Sequence, residues 1–204
     1  MIILLLNCQL SRVYVMLESI VPMIILAVWL MLPAYIANPS AALFGGGRPI
    51  DGGRKLSDGK RILGDGKTYR GFVTGVICGM LVGAIQILIA PYIAPHLSSI
   101  VNPDQLMTWT ALAAITMPIG ALLGDIVKSF FKRRIGYDRG AFLPLADQLD
   151  FVAGAWLLTF LVDPSWMTAN FSLGVIITVL VITPILHIGT NFIGFKIGKK
   201  NVPW

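Results

Sequence analysis

Residues 71–93 contain no Asp, Glu, Lys or Arg, an uncharged run of 23 residues. A helix rises ~1.5 Å per residue, so about 20 apolar residues are needed to cross a hydrocarbon core ~30 Å thick. A run of this length restricts the chain to architectures in which a helix lies in lipid. Similar stretches recur at residues 16–37, 106–127 and 171–192. Composition agrees: 56% of the 204 residues are hydrophobic and only 13% are charged. The expectation is an all-α, polytopic integral membrane protein with about five transmembrane helices, forming a single membrane domain over residues 1–204. The polar stretches are too short to hold a separate soluble domain.

Within 71–93, Gly71, Gly75, Gly79 and Gly83 recur every fourth residue and share one helical face. Such a stripe lets a second helix approach closely. Pro22 and Pro33 in the first span, and Pro118 with Gly120 in the third, are tolerable in a membrane because neighbouring helices satisfy the freed backbone groups. Cys8 and Cys78 lie far apart without metal-ligand spacing, which suits packing. Glu18 reads as an interfacial anchor, and His187 as a hydrogen-bonding group toward a neighbouring helix. The apolar amino terminus lacks a basic leader and a small-residue cleavage site, so it reads as part of the mature protein.

The fourth span is different. After Asp150 only residues 151–162 are uncharged, too few to cross alone. A crossing over 145–162 puts Asp147 and Asp150 in its first turns.

Charge distribution sets an expected orientation. Of sixteen Lys and Arg, seven lie at 48–70, five at 128–139 and three in the tail (Lys196, Lys199 and Lys200). Five crossings place these on one side, with Arg12 alone opposite. The positive-inside rule then puts the amino terminus outside, and the loops at about 38–70 and 128–144, with the carboxyl terminus, in the cytoplasm.

Charges at a membrane edge are costly and usually functional. Residues 124–150 hold four of the ten acidic side chains and five of the basic ones. On a continuous helix Asp125, Lys128, Ser129 and Lys132 share a face. Asp147 and Asp150 share another. Three carboxylates at such an edge suit a hard cation such as Mg²⁺, which takes one or two carboxylates together with substrate phosphates and water. The alternative is a structural ion-pair network with Lys128, Lys132 or Arg133, although surface pairs do not require carboxylates inside a truncated span. Lys132, Arg133 and Arg134 serve either as a positive-inside anchor or as a clamp on polyphosphate oxygens.

The segment 63–71 reads Leu-Gly-Asp-Gly-Lys-Thr-Tyr-Arg-Gly. It is not a P-loop, because the glycine required five residues before Gly66 is replaced by Arg61. Gly64 and Gly66 could expose backbone amides, Lys67 adds a point charge, and the amides opening the following helix favour anions. A flexible linker is the alternative.

Three motifs together carry a resemblance. They are Gly66-Lys67-Thr68-x-Arg70-Gly71, Gly124-Asp125-x-x-x-Ser129-x-x-Lys132-Arg133, and Leu143-Pro144-x-x-Asp147-Gln148-Leu149-Asp150. The combination resembles the CTP-dependent phosphatidate cytidylyltransferase superfamily, and within it the archaeal branch, the CDP-archaeol synthases. The diacylglycerol branch typically has a Pro-Gly-His-Gly-Gly run and a final Asp-Arg-x-Asp. Here Pro144-Leu145-Ala146 and Asp147-Gln148-Leu149-Asp150 stand instead.

The resemblance implies transfer of the cytidylyl group of CTP to 2,3-bis-O-geranylgeranyl-sn-glycerol 1-phosphate, releasing pyrophosphate. The expected partners are CTP, a lipid phosphate and the bilayer, with no nucleic acid. The expected metal ligands for Mg²⁺ are Asp125, Asp147 and Asp150, and the expected catalytic residues Asp125, Asp150 and Lys132. Lys67, Thr68, Arg70, Ser129, Arg133, Arg134 and Arg139 are expected to bind the CTP phosphates or the lipid phosphate. A CDP-diacylglycerol synthase acting on phosphatidic acid is the alternative enzyme. A small transporter would carry midplane charges and internal repeats. The Asp-x-x-Asp-Gly-x-x-Ala-Arg pattern of the CDP-alcohol phosphotransferases is absent, since Phe151 and Val152 follow Asp150.

Overall fold

The structure, a computed structural model, describes residues 2–137, 143 and 145–197, with side chains from residue 20 onward. Arg139, Pro144, Lys199 and Lys200 lie outside the described residues, as do the side chains of Cys8, Arg12 and Glu18. Among the described residues seven α-helices follow in order: α1 (Ile2–Phe44), α2 (Tyr69–Ile93), α3 (Pro103–Leu106), α4 (Ala111–Arg134), α5 (Ala146–Val162), α6 (Pro164–Asn170) and α7 (Leu173–Lys196). Among the described residues there is no strand, only isolated bridges between Pro49 and Thr68 and between Lys55 and Arg61.

Among the described residues four helical stretches are long and apolar enough to cross a membrane: Ile20–Phe44, Tyr69–Leu97, Ala111–Arg134 and Leu173–Lys196. The expected fourth span is α5. Its 17 residues reach about 25 Å, short of the hydrocarbon thickness. Four full-length helices and one short one therefore stand where five spans were expected. The expected third span, α4, runs on through the charged stretch to Arg134, past the expected boundary at 127.

The glycine stripe of α2 is buried. A Cβ on Gly75 would fall 2.7 Å from the Ala37 carbonyl oxygen of α1 and 2.9 Å from Leu122 Cδ1 of α4. One on Gly83 would fall 2.7 Å from Ala114 Cβ. Removing the side chain is what lets α2 sit against both partners. The opposite face of α2 carries Val73, Ile77, Leu81 and Ile85, all exposed and offset from the glycines by two residues. A helix with backbone-close contacts on one face and large aliphatics on the other suits a lipid-facing position. Proline is absorbed without breaking α1, α4 or α7.

Small residues fill the core: Ala27, Ala34 and Ala37 of α1, Ala113 and Ala121 of α4, and Ala155 of α5 are fully or almost fully buried. Tyr35 of α1 joins Thr183 of α7 through a 2.7 Å hydrogen bond between hydroxyls. At the end where α4 begins, Asp163 caps α6 and accepts from Thr110 Oγ1, Ser165 Oγ and Trp166 N at 3.0–3.1 Å. The Trp166 amide is the main cause of that carboxyl's lowered pKa. Trp29 Nε1 donates to Leu106 O, and Trp166 Nε1 to Thr108 O. Those indoles sit at the end opposite the charge cluster, as interfacial tryptophans do.

Candidate active site

The charged end is assembled by a second glycine contact. Gly120 and Gly124 of α4 cross Gly154 of α5. A Cβ on Gly154 would fall 2.7 Å from both Cα and N of Gly124. The crossing brings Asp125 on α4 beside Asp147 and Asp150 on the first turns of α5. Leu145, which opens α5, has a φ of 61° and a ψ of −46°, a strained conformation for a side-chain-bearing residue.

The three carboxylates converge on one ammonium. Lys128 Nζ lies 3.0 Å from Asp125 Oδ1, 3.3 Å from Asp147 Oδ1 and 3.0 Å from Asp150 Oδ2. Lys132 Nζ donates to both oxygens of Asp147 at 3.0 Å. Leu143 N adds a 2.7 Å bond to Asp147 Oδ2. Lys67 reaches from the 45–68 loop to Asp125 Oδ2. Three aspartates and three lysines thus form a charge-balanced cluster drawn from the loop, α4 and α5. Lys128, given no role beyond ion pairing from the sequence, stands at its centre.

The 45–68 loop is ordered around Asp51, a residue the sequence reading did not single out. Its carboxylate is buried and accepts from Gly53 N, Leu63 N and Gly64 N at 2.9–3.1 Å. It also accepts from Arg61 at 3.1 and 2.8 Å. The Arg61 hydrogen bond, with these amides, holds the Asp51 carboxyl well below the usual carboxylate range, and Asp51 in turn raises Arg61. Asp-Gly-Gly at 51–53 was the available signal, since Asp commonly accepts from amides in such turns.

This geometry corrects part of the anion-site expectation. The Gly64 amide is taken by Asp51. At the start of α2, Tyr69 N donates to Arg48 O, and Gly71 N to Thr68 Oγ1 at 3.0 Å. Thr68 is a helix cap, and this segment offers side chains more than free amides to an anion. The linker alternative fails too, because the loop is held in place.

The other expected site residues separate. Ser129 is buried and donates back to Asp125 O at 2.8 Å within its own helix. Arg134, expected at the lipid phosphate, is held by Asp58 at 2.6 Å and donates to the carbonyls of Lys60 and Arg61. It latches the loop onto α4. Arg133 donates to Leu63 O at 3.3 Å and to Tyr137 O, and lines a cavity with Lys60, Arg61, Gly64 and Tyr137. Arg70 is exposed on the first turn of α2. His187 meets Asn191 Nδ2 at 3.1 Å on its own helix, one turn on.

Among the described residues, no group of three or more Asp, Glu, His or Cys side chains is already spaced as a metal cage. The donor set nevertheless fits a hard cation. Carboxylate oxygens from two helices already surround one positive centre, and Mg²⁺ needs only one or two of them when phosphates supply the rest.

Comparison with known proteins bears on these residues. The family model for CarS-like CDP-archaeol synthase matches residues 20–204. The CDP-archaeol synthase of Methanocella arvoryzae is 62% identical over 174 residues, covering 85% of this chain and all of that protein. That of Methanosarcina acetivorans is 51% identical over 185 residues with the same coverage. A solved structure described as an intramembrane enzyme for archaeal membrane lipid biosynthesis is similar at a TM-score of 0.62 and 36% identity, covering 81% of this chain and 92% of its own.

Proposed function

The chain belongs to the CarS-like CDP-archaeol synthase family, and on that premise we propose that it joins CTP to an archaeal ether-lipid phosphate. The products are CDP-archaeol and pyrophosphate, and the substrate is 2,3-bis-O-geranylgeranyl-sn-glycerol 1-phosphate. The observation that carries the reading is the convergence of Asp125, Asp147 and Asp150 with Lys67, Lys128 and Lys132 at one end of apolar helices. That is where an amphiphilic phosphate and a soluble nucleotide can meet.

The reaction is a displacement at phosphorus. An oxygen of the lipid phosphate attacks the α-phosphorus of CTP, the bond to the β-phosphate oxygen breaks, and pyrophosphate leaves with that electron pair. The nucleophile is already ionised at neutral pH, so no general base is needed. Alignment and charge neutralisation therefore carry the catalysis. Lys67 and Lys132 would leave their carboxylates for the β and γ oxygens, and Arg133 would join them from the neighbouring cavity that it lines with Lys60 and Arg61. Arg70 and Arg139 remain for the lipid phosphate, whereas Arg134 orders the loop.

The six side chains of the cluster cancel in charge, so both substrates add negative charge that they do not balance. Asp125 and Asp150, with Asp147, would hold Mg²⁺. When bound, it would neutralise the triphosphate and fix its orientation. Basic residues concentrated at this end support a cytoplasmic active site with the amino terminus outside.

The test is incubation of purified protein with labelled CTP, Mg²⁺ and either the archaeal lipid phosphate or phosphatidic acid. The expected outcome is Mg²⁺-dependent pyrophosphate release and a CDP-lipid, with the ether lipid preferred. Turnover on phosphatidic acid alone would move the chain to the diacylglycerol reaction.

A further inference from the structure

A cavity of about 150 Å³ lies between α1, α2, α4 and the 45–68 loop, directly beside the Lys67–Asp125 pair. Its walls are apolar and polar in about equal measure: Phe72, Leu122 and Ile126 line it on one hand, Lys67, Thr68 and Asp125 on the other. Asn38 of α1 lines it as well, and Asn38 Oδ1 is buried without a hydrogen-bond partner. A buried amide oxygen left unsatisfied is costly, so its position calls for a donor.

The reading above allows two ligands here, and this inference rests on that reading. The ether-lipid phosphate is composed of ether oxygens, an ionised phosphate and hydrocarbon. It presents acceptors and no N–H or O–H to an amide oxygen. CTP has donors: the 4-amino group of cytosine and the ribose hydroxyls. A flat heterocycle with an exocyclic amine suits a slot with aliphatic walls and one aromatic ring, since bases stack on aromatic faces. Recognition pockets commonly combine apolar walls with a few directional polar groups.

We propose that this cavity holds the cytosine base, that Asn38 accepts a hydrogen bond from the 4-amino group, and that Phe72 packs on the ring. The base then lies inside the helix bundle, with Lys67 leading from it toward the phosphates. Asn38 is thereby a specificity-determining residue. Uracil presents a carbonyl oxygen where cytosine has its amine, and two acceptors would face each other. A site built to pair with a substrate N–H rejects an analogue lacking it more strongly than any apolar pocket rejects a change of size.

The experiment uses the full chain in detergent, with Asn38→Leu and Phe72→Leu beside wild type. Equilibrium binding of CTP, UTP and inorganic triphosphate is measured together with the lipid-phosphate KM. The expected result is a CTP affinity at least about tenfold weaker in Asn38→Leu, the loss of one hydrogen bond to a buried partner. Its CTP-over-UTP preference narrows, while triphosphate binding and the lipid KM stay unchanged. Phe72→Leu weakens CTP and UTP alike. An unchanged CTP-over-UTP preference in Asn38→Leu overturns the assignment, and so does a raised lipid KM with unaltered CTP affinity, which would give the cavity to the acceptor lipid. Should Asn38→Leu unfold, Phe72→Leu decides: nucleotide affinity equal to wild type overturns the base site. Nucleotide binding is read without turnover, so a wild type that binds CTP over UTP yet forms no CDP-lipid would count against the proposed reaction and leave the base site standing.

Discussion

Gly124 and Asp150 meet backbone to backbone: a Cβ on Gly124 would fall 3.0 Å from the Asp150 carbonyl carbon. The same crossing of α4 and α5 brings the Asp125 and Asp150 carboxylates to one lysine. Gly124→Val should therefore push the helices apart, with an overpacking cost of ~1–3 kcal/mol. CDP-lipid formation should fall far more than the unfolding midpoint in detergent. A variant that keeps wild-type turnover would show that the crossing does not set the carboxylate spacing.

Legibility in the sequence followed periodicity. The α2 glycine stripe was visible because four-residue spacing maps directly onto a helix face. Asp125, Asp147 and Asp150 stood out because each sits where an apolar span should be. Lys128 was less legible: face-sharing narrows a lysine's neighbours without saying which of several carboxylates it reaches. The Asp-Gly-Gly turn signals only the bond from Gly53 N to Asp51; the rest of that carboxylate's role depends on partners 10 to 13 residues away, Arg61, Leu63 and Gly64, which the turn does not announce. Gly120, Gly124 and Gly154 also escaped notice as a contact, because it joins two helices whose relative placement has no local signature.

Asp51 makes the loop pH-sensitive in a defined direction. Its folded-state pKa is depressed, chiefly by Arg61, below the unfolded value of about 4. Its contribution is therefore fully present above that value and is lost as the pH falls toward the folded pKa. Limited proteolysis of the 45–68 loop should show constant protection from pH 5 to neutrality and growing cleavage below about pH 4. Asp51→Asn should be cleaved readily at every pH and bind CTP more weakly through the displaced Lys67. Wild-type protection in that variant would remove Asp51 as the loop's organiser.

Lys128 holds three carboxylates together, so Lys128→Gln leaves Asp125 and Asp150 facing each other without the central charge. Removing one partner from such a partly buried group costs ~3 kcal/mol or more. A divalent cation should replace the lost charge, and ligand binding to the folded state raises stability by mass action. The unfolding midpoint of Lys128→Gln should rise with added Mg²⁺ by more than that of wild type, and EDTA should abolish the difference. A variant indifferent to Mg²⁺ would argue for the purely structural ion-pair network.

Asp150→Asn separates chemistry from stability most cleanly. The substitution is close to isosteric and removes one of three anionic partners from Lys128. That lysine keeps Asp125 at 3.0 Å and Asp147 at 3.3 Å, so no buried cation is stranded. The Asp150 carbonyl that touches Gly124 is backbone and is unaltered, so the α4–α5 crossing persists. The unfolding midpoint should consequently move little, with a cost within about 1 kcal/mol. Turnover should nevertheless fall by two orders of magnitude or more, since a lost charge-stabilising group costs roughly 10²–10³ in rate. The paired measurement is CDP-lipid formation and thermal unfolding on the same preparation. Comparable turnover in Asp150→Asn and wild type would take Asp150 out of the reaction and leave Asp125 and Asp147 to carry it.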